Sequence, residues 1–137
     1  MILGIGIDLV SVGRIEHLML EFKEKFAEKI FTKKEILQAN KIKSSEKNSI
    51  KRAIFYAKRF AAKEAFAKAT GLGLGRGVDF KDIEVTNGKL GNPLIKIING
   101  KEKFLEEHFN CKKFNIHLSL TDENPLASAI VIIEKIS

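Results

Sequence analysis

The sequence predicts an α+β fold in one compact domain, with strands at both ends of the chain and a long helix at its centre. Three observations carry this. Residues 1–10 alternate apolar and small or acidic side chains. Residues 49–70 run without proline or internal glycine and are rich in alanine. Residues 114–121 and 126–134 are two more alternating stretches, joined by the turn-forming Asp122-Glu123-Asn124-Pro125. The 137 residues suit a single domain spanning 1–137, able to bury about two-thirds of its extended surface.

In the first stretch Met1, Leu3, Ile5, Ile7 and Leu9 are apolar, and Gly4, Gly6 and Asp8 alternate with them. Period two predicts a strand with one buried face. The glycine face is bare until Asp8, open to close approach by another backbone or a ligand. Residues 11–40 read as short helices, and Thr32-Lys33-Lys34-Glu35 has the spacing of a capping box. Polar residues 41–48 read as a loop. In the helix over 49–70, Ile54, Ala57, Ala61, Ala62, Ala65 and Ala69 share an apolar side, and Gly71 is placed to end it. Glu64 and Lys68 fall on the flank of that stripe, either snorkelling or facing a polar site. Strands follow near residues 83–85 and 94–98, then a helix over 101–108 and the terminal hairpin, which together give an antiparallel sheet. On the first hairpin strand His117, Ser119 and Thr121 share one face.

Charge is unevenly distributed. The formal net charge is +7, and residues 11–60 hold 13 Lys/Arg against 6 Asp/Glu, so the remainder is neutral. Such asymmetry favours an acidic partner, whether nucleic acid, anionic membrane or acidic protein; a solvated helical face is the alternative. The amino terminus has no basic region before its apolar stretch, so it does not resemble a secretion signal. One cysteine, Cys111, allows no internal disulfide and fits a cytoplasmic setting. No apolar run is long enough to span a bilayer.

Several chemistries find no pattern. The glycines at 71, 73, 75 and 77 follow a helix, whereas phosphate-binding glycine loops open one. No nucleophile elbow or zinc-ligand spacing is present. What remains is Asp8, at the end of the glycine face, and Glu64 with Lys68 one turn later. Each alone reads as an ordinary cap or ion pair. Brought side by side, the two carboxylates suit magnesium, which takes oxygen ligands together with phosphate and water. Lys68 would then neutralise a phosphate.

At these residues the sequence resembles a known family. Gly4-Ile5-Gly6-Ile7-Asp8-Leu9-Val10 with Arg14-Ile15 resembles the amino-terminal signature of holo-[acyl-carrier-protein] synthases. Arg59-Phe60-Ala61-Ala62-Lys63-Glu64-Ala65-Phe66-Ala67-Lys68-Ala69 resembles their second signature. The resemblance extends over essentially the full chain. It implies the 4'-phosphopantetheinyl transferase fold, a homotrimer with sites at subunit interfaces, and a role in fatty acid biosynthesis. It also implies transfer of 4'-phosphopantetheine from coenzyme A to a serine of apo acyl carrier protein. By the same resemblance Asp8 and Glu64 are the Mg2+ ligands, and Asp8, Glu64 and Lys68 are catalytic. Lys68, Arg59, Ser119 and Pro93 contact coenzyme A, and Arg14, Lys25, Phe26 and Phe60 receive the carrier protein. The bare glycine face, taken with this resemblance, suggests sites shared between subunits. The sequence departs from the family twice. Asp122 stands where relatives often have histidine, and Leu90-Gly91-Asn92 lengthens the turn before Pro93. A basic nucleic-acid-binding module is the rival reading, although no RNP, KH or zinc-finger motif supports it.

Overall fold

The computed structural model describes residues 1–43 and 46–136, with side chains for all of them except 46–48. The elements, in chain order, are β1 (Ile2–Ser11), α1 (Val12–Phe22), α2 (Glu24–Ile30), α3 (Lys33–Asn40) and α4 (Glu46–Thr70). A short 3-10 helix (Phe80–Asp82) leads into β2 (Ile83–Asn87) and β3 (Pro93–Ile97), followed by α5 (Lys101–Phe109), β4 (Phe114–Glu123) and β5 (Leu126–Lys135). The two ends of the chain form an antiparallel sheet in the order β1-β5-β4, and β2-β3 form a separate antiparallel pair. This is the expected α+β plan. Helix α4 starts ahead of Ser49, and the loop expected over 41–48 lies partly outside the described residues.

The glycines of β1 explain how α4 meets the sheet. A Cβ on Gly4 would lie 1.8 Å from the Ala69 carbonyl oxygen, and one on Gly6 would lie 1.9 Å from that of Ala65. Only glycine lets the helix backbone approach so closely, and Ala61, Ala62, Ala65 and Ala69 are fully or almost fully buried. The close approach by another backbone expected at the glycine face is present, and α4 makes it; what is corrected is the suggestion that this face is shared between subunits. The alternation in β1 is real, but the chain covers the glycine face and leaves Ile5, Ile7 and Leu9 61%, 62% and 64% exposed. The glycine face therefore offers nothing to a second subunit.

Helix α4 is more deeply enclosed than a single apolar stripe implies. Tyr56 and Phe66 are buried as well, as are Arg59 and Lys63, while Ile54 is only partly buried. Tyr56 packs at 4.5 Å from Phe31 and 6.3 Å from Phe26, measured between ring centroids. Gly71, at φ +80°, ends the helix, and the amide of Gly73 donates to the Ala67 carbonyl at 3.2 Å, closing the last turn. At the other end of the fold, Ser11 leaves the sheet and caps α1 by accepting from the Arg14 amide at 3.3 Å.

Candidate functional site

Because α4 runs antiparallel to β1 on its glycine face, Asp8 comes against the flank of the helix. Lys68 Nζ donates to Asp8 Oδ1 at 3.2 Å and to the Ile7 carbonyl at 3.0 Å. Glu64, one turn earlier, joins the same neighbourhood. Burial pushes its carboxyl above the ordinary range, the Asp8 carboxylate pushes it further, and Lys68 and Arg14 oppose both. The structure thus brings Asp8, Glu64 and Lys68 together as expected, and adds Arg14 to their surroundings. Two repelling carboxylates with one half-exposed lysine are hard oxygen donors in want of positive charge. Among the described residues no group of three or more His, Cys, Asp or Glu converges. Two carboxylates suit magnesium, whose remaining positions go to water and substrate phosphate.

Arg14 also stands at the edge of a groove of about 360 Å³, lined by Leu18, Phe22, Lys25, Phe26, Lys29, Ile30, Phe60 and Phe80 as well. All four residues expected to receive a partner protein therefore line one surface. Phe60 stacks on Phe80 at 5.7 Å between centroids. Phe26 sits deeper than a surface contact would, only 6% exposed and packed edge-on against Phe31. The groove's wall is apolar, and Arg14, Lys25 and Lys29 supply its cations.

Three other expected residues do not join Asp8 and Glu64 within the protomer. Ser119 pairs with Ile130 and lies on the exposed face of the sheet, opposite the face that carries Asp8. Pro93 opens β3 across from Asn87. Arg59 points elsewhere from α4, its guanidinium 3.6 Å from the centre of the Phe55 ring. It helps line a small pocket with Lys34, Gln38, Thr86 and Asn87. Burial pulls its pKa down to about 10 against the attraction of Glu35, and its buried Nε has no hydrogen-bond partner among the described residues. A buried guanidinium nitrogen without a partner carries a desolvation cost. Asp122 is held by Lys58 at 3.1 Å.

Sequence reasoning missed a buried polar cluster beneath this site. The capping box is present, with Thr32 N donating to Glu35 Oε1 at 2.9 Å and Glu35 N donating to Thr32 Oγ1 at 3.3 Å. Glu35 is not merely a cap, however. It accepts from Lys63 at 2.6 Å and from the Val85 amide at 2.9 Å, and Thr32 Oγ1 donates to Glu84 at 2.8 Å. The available signal was positional. Lys63 shares the helix side of Tyr56 and Phe66, both large and apolar.

Comparisons with known proteins agree with this arrangement. Residues 4–130 match the family model of the 4'-phosphopantetheinyl transferase superfamily. A holo-[acyl-carrier-protein] synthase of Bartonella bacilliformis is 43% identical over 136 residues, covering 98% of this chain and 96% of that protein. The crystal structure of the holo-[acyl-carrier-protein] synthase of Neisseria meningitidis is 38% identical, with a TM-score of 0.82, covering 98% of this chain and 100% of that one. That of Bacillus anthracis, solved in complex with CoA (3',5'-ADP), is 36% identical with a TM-score of 0.78 and 99% coverage of both chains.

Proposed function

Since the chain belongs to the 4'-phosphopantetheinyl transferase superfamily, we propose that it transfers 4'-phosphopantetheine from coenzyme A to a serine of apo acyl carrier protein. The observation that supports this most is the meeting of Asp8, Glu64 and Lys68 where β1 crosses α4. In the reaction the serine oxygen attacks the phosphorus that bears the pantetheine arm. The bond from that phosphorus to the bridging oxygen breaks, and adenosine 3',5'-bisphosphate leaves. Glu64, with a carboxyl raised above the ordinary range, takes the serine proton directly or through a bound water. Lys68 offsets charge on the phosphates. Asp8 and Glu64 would hold magnesium, which when bound neutralises the pyrophosphate and stabilises charge on the leaving group.

The same reading assigns the groove beside Arg14 to the acidic carrier protein and the small Arg59 pocket to a phosphate of coenzyme A. It assigns the exposed face of β1 and β5 to a closed cyclic homotrimer. That face carries Ile5, Ile7, Leu9 and Ile130, all exposed in the protomer, with Ile7 directly opposite Ile130. Ser119 lies on it and so belongs to an interface. Among the described residues no helix is long and apolar enough to cross a membrane. The free, buried Cys111 suits the cytoplasm, where carrier proteins of fatty acid biosynthesis would be its substrates. The nucleic-acid reading finds no support in the comparisons.

Mass spectrometry decides the reaction. Apo carrier protein incubated with this chain, coenzyme A and magnesium should gain one phosphopantetheine, with stoichiometric release of adenosine 3',5'-bisphosphate. No gain with any carrier protein of a varied panel would sink the proposal.

A further inference from the structure

The chemistry proposed above leaves Lys63 unused, although it immediately precedes Glu64 and is 0% exposed. Its Nζ donates to the Ile30 carbonyl at 2.9 Å, to Glu35 Oε1 at 2.6 Å and to the Phe80 carbonyl at 3.0 Å. Three acceptors around one nitrogen match the three N–H groups of an ammonium; a neutral amine could satisfy only two. The carboxylate that balances it is itself fully engaged, by Thr32 and Val85. One cation therefore ties the end of α2, the start of α3 and the 3-10 helix to α4.

Two of those acceptors matter for function. Ile30 and Phe80 both line the groove beside Arg14, and the Phe80 ring stacks on Phe60, which lines it too. Neutralising Glu35 requires no contact with either backbone carbonyl. Their capture fixes two walls of the groove relative to the helix that carries Glu64.

The geometry points to Lys63 as a positioning residue that holds the carrier-protein groove in register with Glu64, so that a docked serine arrives within reach of the metal site. This inference rests on reading the groove as the carrier's seat. Lys63 itself touches neither substrate.

The test is steady-state kinetics with each substrate varied separately. Lys63→Gln keeps two N–H groups on a shorter arm. Lys63→Met combined with Glu35→Gln removes both charges, which avoids leaving a buried carboxylate unpaired, and keeps an acceptor for Thr32. Folding of each is checked first by circular dichroism. In variants that fold, KM for apo carrier protein should rise about tenfold or more and kcat should fall, while KM for coenzyme A stays within about twofold. A cluster that only stabilises the fold would lower the melting temperature and leave both constants of the folded enzyme unchanged; that result overturns the inference, as does an equal rise for both substrates. Lys25→Glu with Lys29→Glu tests the groove itself. If it leaves the carrier constant unmoved, the groove reading falls and takes this inference with it. If it raises that constant and the Lys63 variants do not, the positioning role alone is lost.

Discussion

Lys68 bridges to Asp8 across 3.2 Å, joining helix α4 to strand β1 through residues 60 apart in sequence. Lys68 is 55% exposed and Asp8 only 15%. A pair this open contributes about 0–1 kcal/mol, so it exchanges partners cheaply. With a cation beside Asp8, the lysine is free to turn to a phosphate. The pair is thus a resting contact of a site that expects more positive charge.

That expectation gives the first prediction. Asp8→Asn and Glu64→Gln each remove one of two carboxylates and should weaken magnesium binding in titration calorimetry. Turnover should fall by about a hundredfold or more, since charge stabilisation of this kind is worth several kcal/mol. Circular dichroism should show an intact fold. Near wild-type turnover in either variant would remove the metal assignment.

The second prediction concerns the contact that creates the site. A methyl group at Gly6 would sit 1.9 Å from the Ala65 oxygen, and a helix backbone cannot yield as a side chain can. Gly6→Ala should cost at least about 1–3 kcal/mol in urea unfolding, and it should weaken magnesium binding by moving α4 away from Asp8. Gly13→Ala is the control. Its new Cβ meets only Ser11 Oγ at 3.7 Å, within a helix where alanine is preferred, so stability should hold or rise. Equal losses in the two variants would contradict the close-approach account.

Gly4 and Gly6 of β1 also show how far the sequence was legible. Alternation identified both faces of β1, yet it could not say which one the chain itself covers. The side-chain-poor face is covered because alanines on α4 allow a close approach, a fact about two segments jointly. Local signals fared better: the Thr32–Glu35 box and the Gly71 stop both appear where the spacing put them. Lys63 was opaque because its partner Glu35 lies 28 residues away, and a lysine next to a glutamate ordinarily signals a solvated helix face. Asp8 and Glu64 could be paired from the resemblance of two separate signatures, since no local pattern links a strand end to a distant helix. Arg59, Ser119 and Pro93 came from the same resemblance, and within the protomer they stand apart from Asp8.

The third prediction follows from the raised pKa of Glu64. In the metal-free protein the folded state holds this proton more tightly than the unfolded chain, whose glutamates titrate near about 4.3. Stability therefore falls as pH rises from that value through the raised one. Glu64→Gln abolishes the effect. In the presence of a chelator the variant should gain stability over wild type at neutral pH, and the gain should shrink toward pH ~4. Urea unfolding at both pH values measures it. A difference independent of pH would show that Glu64 titrates normally.

The exposed sheet face gives the fourth. Ile7 is 62% exposed in the protomer, so Ile7→Lys introduces no buried charge and should leave the subunit folded. If copies of the chain cover this face, sedimentation should show wild type as a trimer and the variant as a monomer. The monomer should transfer poorly, because sites at interfaces need both neighbours. A wild-type chain that is fully active as a monomer would reject the assembly.

The last prediction concerns the groove. The excess of basic residues between positions 11 and 60 is not all available to a partner, since Arg59 is buried. Arg14, Lys25 and Lys29 line the apolar floor made by Leu18, Phe22, Phe26 and Phe60. Arg14 is the poorer probe of docking, because it lies close enough to Glu64 to lower its pKa; changing it mixes recognition with chemistry. Lys25→Glu with Lys29→Glu separates them. Charges around an apolar contact act mainly by attraction before contact is made, so reversing two should slow association and reduce its dependence on salt. The cations that oppose the raised pKa of Glu64 are Lys68 and Arg14. KM for carrier protein should therefore rise about tenfold or more, with turnover at saturating carrier and KM for coenzyme A within about twofold of wild type. High salt should narrow the gap between variant and wild type, because screening weakens attraction in one and repulsion in the other. A loss shared by both substrates, or a gap indifferent to salt, would assign these lysines to a solvated surface and leave the groove without its acidic partner.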